Sequence, residues 1–342
     1  MIMNDKSLIL AKWEPTGKNK ILCTLCPRYC KIGNGQPGFC YIRQNHNGKL
    51  YTTGYGHPTG FAIDPIEKKP LNHFYPGTSV LSFGTAGCNL GCRFCQNWSI
   101  SKAKLDEYNS LEVSPEDVVK LAKKYHSPSI AFTYNDPTIF GEYVIDISKI
   151  AKEEGINTVM VTAGYIDKNA REDIYKYINA ANVDLKAFNR MFYHKLTFSH
   201  IKDVLDTLIW LKNETDVWTE ITTLLIPGEN DSPDEINQMC DWIVKNLGED
   251  VPLHFTAFHP DFKMRNYRRT PSSSLTNARN IAMQTGIKYC YVGNIHNTEG
   301  QTTFCPVCNT PLIQRDWHAV LSNKITGGKC YKCGTTIPGY FN

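Results

Sequence analysis

TSVLSFGTAGCNLGCRFCQN, residues 78–97, joins an apolar run to a loop that carries three cysteines. Val80, Leu81 and Phe83 read as a buried strand, and Gly84, Gly87 and Gly91 let the backbone that follows wrap closely around a bound group. Outward from this stretch the same plan repeats. SIAFTY, NTVMVT, NVDLKAF, VWTEITTLL, LHFTAF and YCYVG are further apolar runs, mostly rich in β-branched or aromatic residues, with amphipathic segments between most of them. SPEDVVKLAKKYH opens with Ser114 as N-cap, Pro115 at the first helical position and Asp117 completing a capping-box-like pattern. IFGEYVIDISKIAKEE is followed by Gly155, and DSPDEINQMCDWIVKNL by Gly248, the usual helix stop.

Near-continuous apolar strands alternating with helices imply a parallel sheet covered by helices. Six or seven such units without a dinucleotide fingerprint favour a partial or complete β/α barrel, with a doubly wound open sheet as the alternative. In a barrel, functional residues collect where strands end. The seven strands hand over to GTAGCNLGCRFC, YNDPT, TAGY, DLK, IPGEND, FHPD and GN, each polar or glycine-containing. Seven handovers in a row favour one shared rim.

A chain of 342 residues buries a substantial core, and its net charge of +4 is too slight to make nucleic-acid binding the main source of affinity. No apolar run is long enough to span a bilayer, and MIMNDKSLILAKWEP lacks the apolar core of a secretory signal, so no membrane partner and a cytoplasmic location are expected. In a reducing compartment, clustered cysteines bind metal more often than they pair. Eleven of the thirteen fall into three groups: Cys23/Cys26/Cys30/Cys40, Cys88/Cys92/Cys95 and Cys305/Cys308/Cys330/Cys333.

The central group has the spacing CxxxCxxC. Three thiolates hold three corners of a 4Fe–4S cube and leave one iron open for chemistry. Three buried thiols, or a zinc site completed by histidine, are the plainer readings.

CNLGCRFCQN resembles the radical S-adenosylmethionine (SAM) signature. Nearly the whole chain resembles relatives of the pyruvate formate-lyase activating enzymes, and within them the AmmeMemoRadiSam-system radical SAM enzymes. CTLCPRYCKIGNGQPGFC, DPIEKKPLNHFYPG, AFTYNDPTIF, DLKAFN, EITTLLIPGENDS, AFHPD, YVGN and the terminal CPVC…CYKC carry the likeness. It implies a 4Fe–4S cluster on Cys88, Cys92 and Cys95, SAM chelated at the open iron, and a 5′-deoxyadenosyl radical that takes hydrogen from an unknown substrate. It implies SAM contacts at Asn135 and Asp136, where relatives carry Glu in place of the aspartate, at Thr162 and Gly164, and through the backbone amide of Phe94. Asp184 and Lys186 are implied near SAM and substrate, with a structural ion pair as the plainer reading. His259 is implied at SAM or substrate, with a packed loop histidine as its alternative. No dedicated acid–base side chain is expected. An electron donor such as flavodoxin or ferredoxin, and Memo-like and Ammecr-like proteins, are the implied partners.

CPVC and CYKC, with a spacer slightly beyond the usual range, suit a tetrahedral zinc ribbon, and a rubredoxin-like iron centre is the rival. At Cys23, Cys26, Cys30 and Cys40, zinc and an auxiliary iron–sulfur cluster both fit the spacing. The basic run KMRNYRRT, 263–270, reads as a solvated loop or as a dock for an acidic substrate. The expected architecture is therefore α/β: a Cys-rich metal-binding segment over 1–75, a partial (β/α) barrel of six or seven units over 76–297, and a zinc-ribbon-like domain over 298–342. The expected function is radical SAM chemistry on an unknown substrate. A glycyl-radical-enzyme activase and a zinc-ribbon nucleic-acid-binding protein on a degenerate barrel are the alternatives.

Overall fold

The computed structural model describes residues 9–13, 20–105 and 111–341, so most of the N-terminal stretch read for a secretory signal lies outside the described residues. Eight strands form the central sheet: β1 (Thr59–Pro65), β2 (Ser79–Gly84), β3 (Ser129–Phe132), β4 (Asn157–Thr162), β5 (Ala180–Asp184), β6 (Trp218–Leu225), β7 (Leu253–Ala257) and β8 (Cys290–Gly293). They lie side by side in chain order, with β1 antiparallel to β2 and every later pair parallel. Because the order never reverses, right-handed crossovers place all the helices on one face. That is a partial barrel of six βα units closed by a seventh parallel strand, and not a doubly wound sheet.

Helices α1 (Pro115–Lys124), α2 (Gly141–Glu153), α3 (Lys168–Tyr175), α4 (Ile201–Glu214), α5 (Pro233–Leu247) and α6 (Ser272–Thr285) make the crossovers. The caps read from the sequence form. Ser114 accepts from the Asp117 amide at 3.2 Å, and Ser232 does the same for Glu235 at 3.3 Å. Gly155 and Gly248 follow α2 and α5 at φ +68° and +92°. Among the described residues no helix is long and apolar enough to cross a membrane.

Strand β1 lies within the span read as the Cys-rich segment, yet it pairs with β2 along the sheet edge. Its side chains are largely exposed, so the sequence there carries no strong apolar pattern. Upstream of it, Ile9–Leu10, Lys49–Thr52 and Arg43–His46 form a three-stranded antiparallel sheet, and Lys20–Leu22 pairs with Lys31–Gly33. Ile21, Leu25, Ile32, Ile42 and Leu50 join the same apolar core as the barrel. Arg43, fully buried, donates to both carboxylate oxygens of Glu142 on α2 at 3.0 Å and to the Lys12 carbonyl at 2.6 Å, which locks this part onto the helical layer.

The C-terminal unit is a three-stranded antiparallel sheet, Thr303–Phe304, Pro311–Asp316 and Ala319–Asn323, followed by a hairpin of Ile325–Thr326 with Lys329–Cys330. It packs on Tyr289 and Tyr291 through a second, small apolar cluster. A buried polar network joins it to the barrel. Arg315 donates to the carbonyls of Asn72 at 2.8 Å and Gln301 at 3.2 Å, to Thr303 Oγ1 at 2.9 Å, and to Glu67 at 3.4 Å. Beside it, Glu220 of β6 receives the amides of Asn72 and His73, the Trp218 indole and His254 Nε2. Burial opposes its charge most strongly, but the His254 bond, the adjoining histidines and the Trp218 indole together hold the carboxyl below its ordinary pKa.

His73 makes this joint acid-sensitive. Its Nδ1 donates to the Pro338 carbonyl at 2.7 Å, and its Nε2 accepts from the Tyr291 hydroxyl at 2.6 Å. Burial pushes its pKa from 6.5 down to about 4, so the folded chain takes up that proton less readily than the unfolded one. The resulting stability is complete above pH 6.5 and is lost as pH falls from 6.5 to about 4, a difference of about 3 kcal/mol. Urea unfolding of the wild type and of His73→Gln at stepped pH should show the wild type losing this increment across that window. Parallel curves for the two proteins would remove His73 as the cause.

Candidate functional site

The cysteine loop leaves β2 at Gly84, where a Cβ would meet the Thr133 carbonyl oxygen at 2.5 Å. At Gly87, φ is +85° and a Cβ would meet the Cys40 carbonyl oxygen at 2.0 Å. Glycine is required at both points because backbone from β3 and from the N-terminal segment presses on the loop. Asn135, just past β3, holds the loop in place. Its amide nitrogen donates to Thr85 O at 2.7 Å, Thr85 Oγ1 at 3.0 Å and Gly87 O at 2.8 Å, and its oxygen accepts from the Thr85 amide at 3.2 Å. Further along, Lys102 Nζ donates to Leu90 O at 2.6 Å, and the Gly91 and Arg93 amides donate to Thr197 O and Leu196 O, each at 2.8 Å. These bonds spend the loop's backbone groups on the surrounding fold and leave the thiols facing inward.

Cys88, Cys92 and Cys95 share the wall of one open cavity of about 160 Å³ with Asn135, Asp136, Thr162, Asp184 and Lys186. Burial pushes the Cys88 thiol up to about 11 and the Cys92 thiol up to about 12. A metal centre there must displace these protons as it binds. Lys186 pairs with Asp184 at 2.8 Å. Burial opposes its charge, but Asp184 and the nearby Cys92 outweigh that and hold the ammonium above its ordinary range. The site therefore sets one firmly held cation beside three potential thiolates.

Asp136 is buried and already engaged: it accepts from the Thr138 amide at 3.0 Å, the Ala163 amide at 2.9 Å and Thr162 Oγ1 at 3.2 Å. It clamps the loops after β3 and β4 together. Gly164 lies one residue beyond the cavity wall, its amide donating to Thr162 Oγ1 at 3.0 Å. Phe94 is buried, packs against Phe192 with ring centroids 5.7 Å apart, and lines a second cavity.

That second cavity is larger, about 380 Å³, and shares Cys92, Cys95, Asn97, Tyr134, Asp184 and Lys186 with the first. Its far walls come from β6 to β8, from Glu67, Lys68 and Asn72, and from Gln301, Arg315, Trp317 and His318 of the C-terminal part. His259 is not among its residues. It is exposed, lines neither cavity, and its imidazole reaches no farther than the next carbonyl, that of Pro260. The β7 histidine that lines the cavity is His254, five residues earlier, and His318 of the C-terminal part lines it too. Inward alternation along LHFTA is the sequence signal that marks it. Thr222 on β6 is also in the wall, with its hydroxyl buried and without a hydrogen-bond partner among the described residues. The run 263–270 lines neither cavity but lies across the cysteine loop, where the Lys263 amide donates to Arg93 O at 3.0 Å.

The terminal cysteines differ in geometry. Cys305, Cys308, Cys330 and Cys333 are, among the described residues, the one group of candidate ligands whose donor atoms all lie within 4.8 Å of one another. Their sulfurs approach to 3.5 Å (Cys305–Cys333) and 3.7 Å (Cys308–Cys330). Ligands about 2.3 Å from a tetrahedral ion stand about 3.8 Å apart. This set fits a single metal ion. Cys23, Cys26, Cys30 and Cys40 instead line a separate cavity against the back of the central loop.

Comparison with known proteins follows the same outline. Residues 83–243 match the family described as the Radical SAM superfamily. An uncharacterized protein of Methanocaldococcus jannaschii is 42% identical over 327 residues, which is 95% of this chain and 97% of the relative. The pyruvate formate-lyase-activating enzyme of Clostridium pasteurianum is 28% identical over 54% of this chain and 76% of its own length. Among solved structures, a radical SAM methyltransferase from Sphaerobacter thermophilus superposes with a TM-score of 0.50 at 19% identity, covering 64% of this chain and 67% of that one.

Proposed function

Because the chain belongs to the radical SAM superfamily, we propose that Cys88, Cys92 and Cys95 hold a 4Fe–4S cluster, that SAM occupies the smaller cavity, and that a small polar substrate occupies the larger one. The observation that carries this reading is the continuity of the two cavities across Cys92, Cys95, Asp184 and Lys186. A group bound beside the thiols in one opens directly onto a molecule held in the other. When bound, the cluster and SAM supply one-electron cleavage to a 5′-deoxyadenosyl radical that removes a hydrogen atom from substrate.

The chain's own residues bind, orient and exclude water. Asn135 fixes the thiol loop, and the Asp136 clamp fixes the adjoining wall. Lys186 offers its ammonium to thiolate and carboxylate charge at the cavity junction, with Asp184 limiting its movement. His254, Thr222 and Asn72 furnish the larger cavity with polar groups that a small hydroxylated or charged molecule can use. The C-terminal four-cysteine site is read as zinc, and a ferredoxin- or flavodoxin-class protein as the reductant.

The second reading, an activase that installs a glycyl radical on a partner enzyme, is supported by the Clostridium relative. Against it, polar groups from residues 67–72 and 301–318 line the larger cavity, which suits a small polar molecule. The test is anaerobic reconstitution with iron and sulfide, addition of dithionite and SAM, and quantification of 5′-deoxyadenosine. The wild type should form it, and Cys88→Ala/Cys92→Ala/Cys95→Ala should form none. A variant as active as the wild type would overturn the assignment.

A further inference from the structure

The N-terminal cysteines are not arranged like the C-terminal ones. Cys23, Cys26 and Cys40 are buried and Cys30 is partly so, and all four line one small cavity together with Leu25, Ile32 and Ile139. No three of their sulfurs meet the mutual 4.8 Å spacing that the C-terminal set satisfies. Thiolates sharing one tetrahedral ion must stand about 3.8 Å apart. Thiolates that each bind a different iron of a cube must stand farther apart. The cavity between them, about 10 Å³ with a largely apolar lining, lies where such a cube would sit and must widen to take it.

The position of this cavity is informative as well. The Cys40 carbonyl touches Gly87, the residue before Cys88, and Asn89, the residue after it, lines the N-terminal cavity. Arg28 ties the two together by donating to the carbonyls of Asn89 and Phe198. The Gly87–Asn89 segment thus touches the N-terminal cysteine segment while its Cys88 lines the barrel cavity. Arg43, buried in the wall and neutralised by Glu142, sets one compensated cation beside the four thiols.

We propose that Cys23, Cys26, Cys30 and Cys40 ligate a second 4Fe–4S cluster that relays electrons to the barrel site. The presence of this cluster stands on its own geometry, and the relay rests on the radical SAM reading. In the relay, a low-potential iron–sulfur or flavin protein gives one electron to the N-terminal cluster. That cluster returns to its oxidised state by reducing the one at Cys88, Cys92 and Cys95, and no bond forms or breaks in the transfer. Cys30, the ligand nearest solvent, lies beside Arg28 and the exposed Phe39, where the donor would enter.

The test uses the full chain carrying Cys88→Ala, Cys92→Ala and Cys95→Ala, reconstituted anaerobically with iron, sulfide and zinc. Iron, zinc and acid-labile sulfide are counted, and Mössbauer spectra recorded. Retention of about four iron and four sulfide per chain, abolished by adding Cys26→Ser and Cys40→Ser, is the expected result. Zinc at these cysteines, with no sulfide retained, would overturn it. A single iron without sulfide would belong to the C-terminal site and would count the same way. A second measurement avoids variants altogether: the reduced wild type should show two cluster signals by electron paramagnetic resonance, with SAM perturbing only one. One signal, wholly shifted by SAM, overturns the proposal and leaves the barrel assignment intact. Two signals that both ignore SAM would instead remove the barrel assignment and keep the second cluster.

Discussion

Replacing Cys305 and Cys330 with serine will unfold the C-terminal unit without removing the iron proposed for Cys88, Cys92 and Cys95. The unit's own apolar cluster is small, built on Leu312, Ile313, Ile325 and Ile337 against Tyr289 and Tyr291, and the Arg315 network ties it to the barrel only once it is folded. Four convergent thiols in such a piece mean that metal binding and folding are one event, on the order of 10 kcal/mol for a structural zinc site. Hydrogen bonds prepare the thiolates, with Thr335 lowering the pKa of Cys333 and Thr310 that of Cys308. Amide exchange across residues 303–341 should rise to near the unprotected rate in the double variant. Cluster iron at the barrel should stay at the wild-type level. Gln301, Arg315, Trp317 and His318 leave the cavity wall together, so substrate conversion should fall at least tenfold even where SAM is still cleaved. Unchanged protection over 303–341 would show that the unit folds without metal.

Arg315→Ala will cost about 3–5 kcal/mol of unfolding free energy, the range for removing one partner of a buried ion pair. Arg315 and Glu67 are both almost wholly buried, and the arginine alone joins Asn72, Gln301 and Thr303 across the joint between barrel and C-terminal unit. Burial pushes the Glu67 carboxyl above its ordinary pKa even with the guanidinium present. Without it, that carboxylate is stranded and takes up a proton more readily. The loss should therefore be largest near pH 8 and shrink toward pH 5, where Glu67 is neutral in the variant. Glu67→Gln added to Arg315→Ala should recover part of the loss in a double-mutant cycle read by denaturant unfolding. Strictly additive losses would mean that Arg315 acts through its carbonyl contacts alone.

The local plan of this chain was legible residue by residue. Seven parallel strands, their capped helices, the CxxxCxxC loop and the paired C-terminal knuckles follow from short-range patterns: apolar runs, Ser-Pro helix starts, glycine stops and thiol spacing. Those signals are local because the forces that set them act over one helical turn or one hydrogen-bonded loop. Asp136, Thr162, Asp184 and Lys186 were named through the resemblance to the activating enzymes; strand order implied only that the loops carrying them share one rim. Strand β1 was not legible, since an edge strand with mostly exposed side chains has no apolar period to read.

Tertiary structure alone decided the rest. Whether His254 or His259 reaches the cavity depends on where β7 stops and its loop turns outward. Arg315 and Glu67 become partners only when segments 248 residues apart dock, so neither carries a mark in its own neighbourhood. The same is true of the Cys40–Gly87 contact, which brings the N-terminal thiols to the back of the central loop. Local spacing was enough to show strands alternating with helices, while leaving barrel and doubly wound sheet both open, and to group the cysteines. The walls around them, and the choice between one ion and a cluster, depend on distances between elements remote in the chain, which only packing sets.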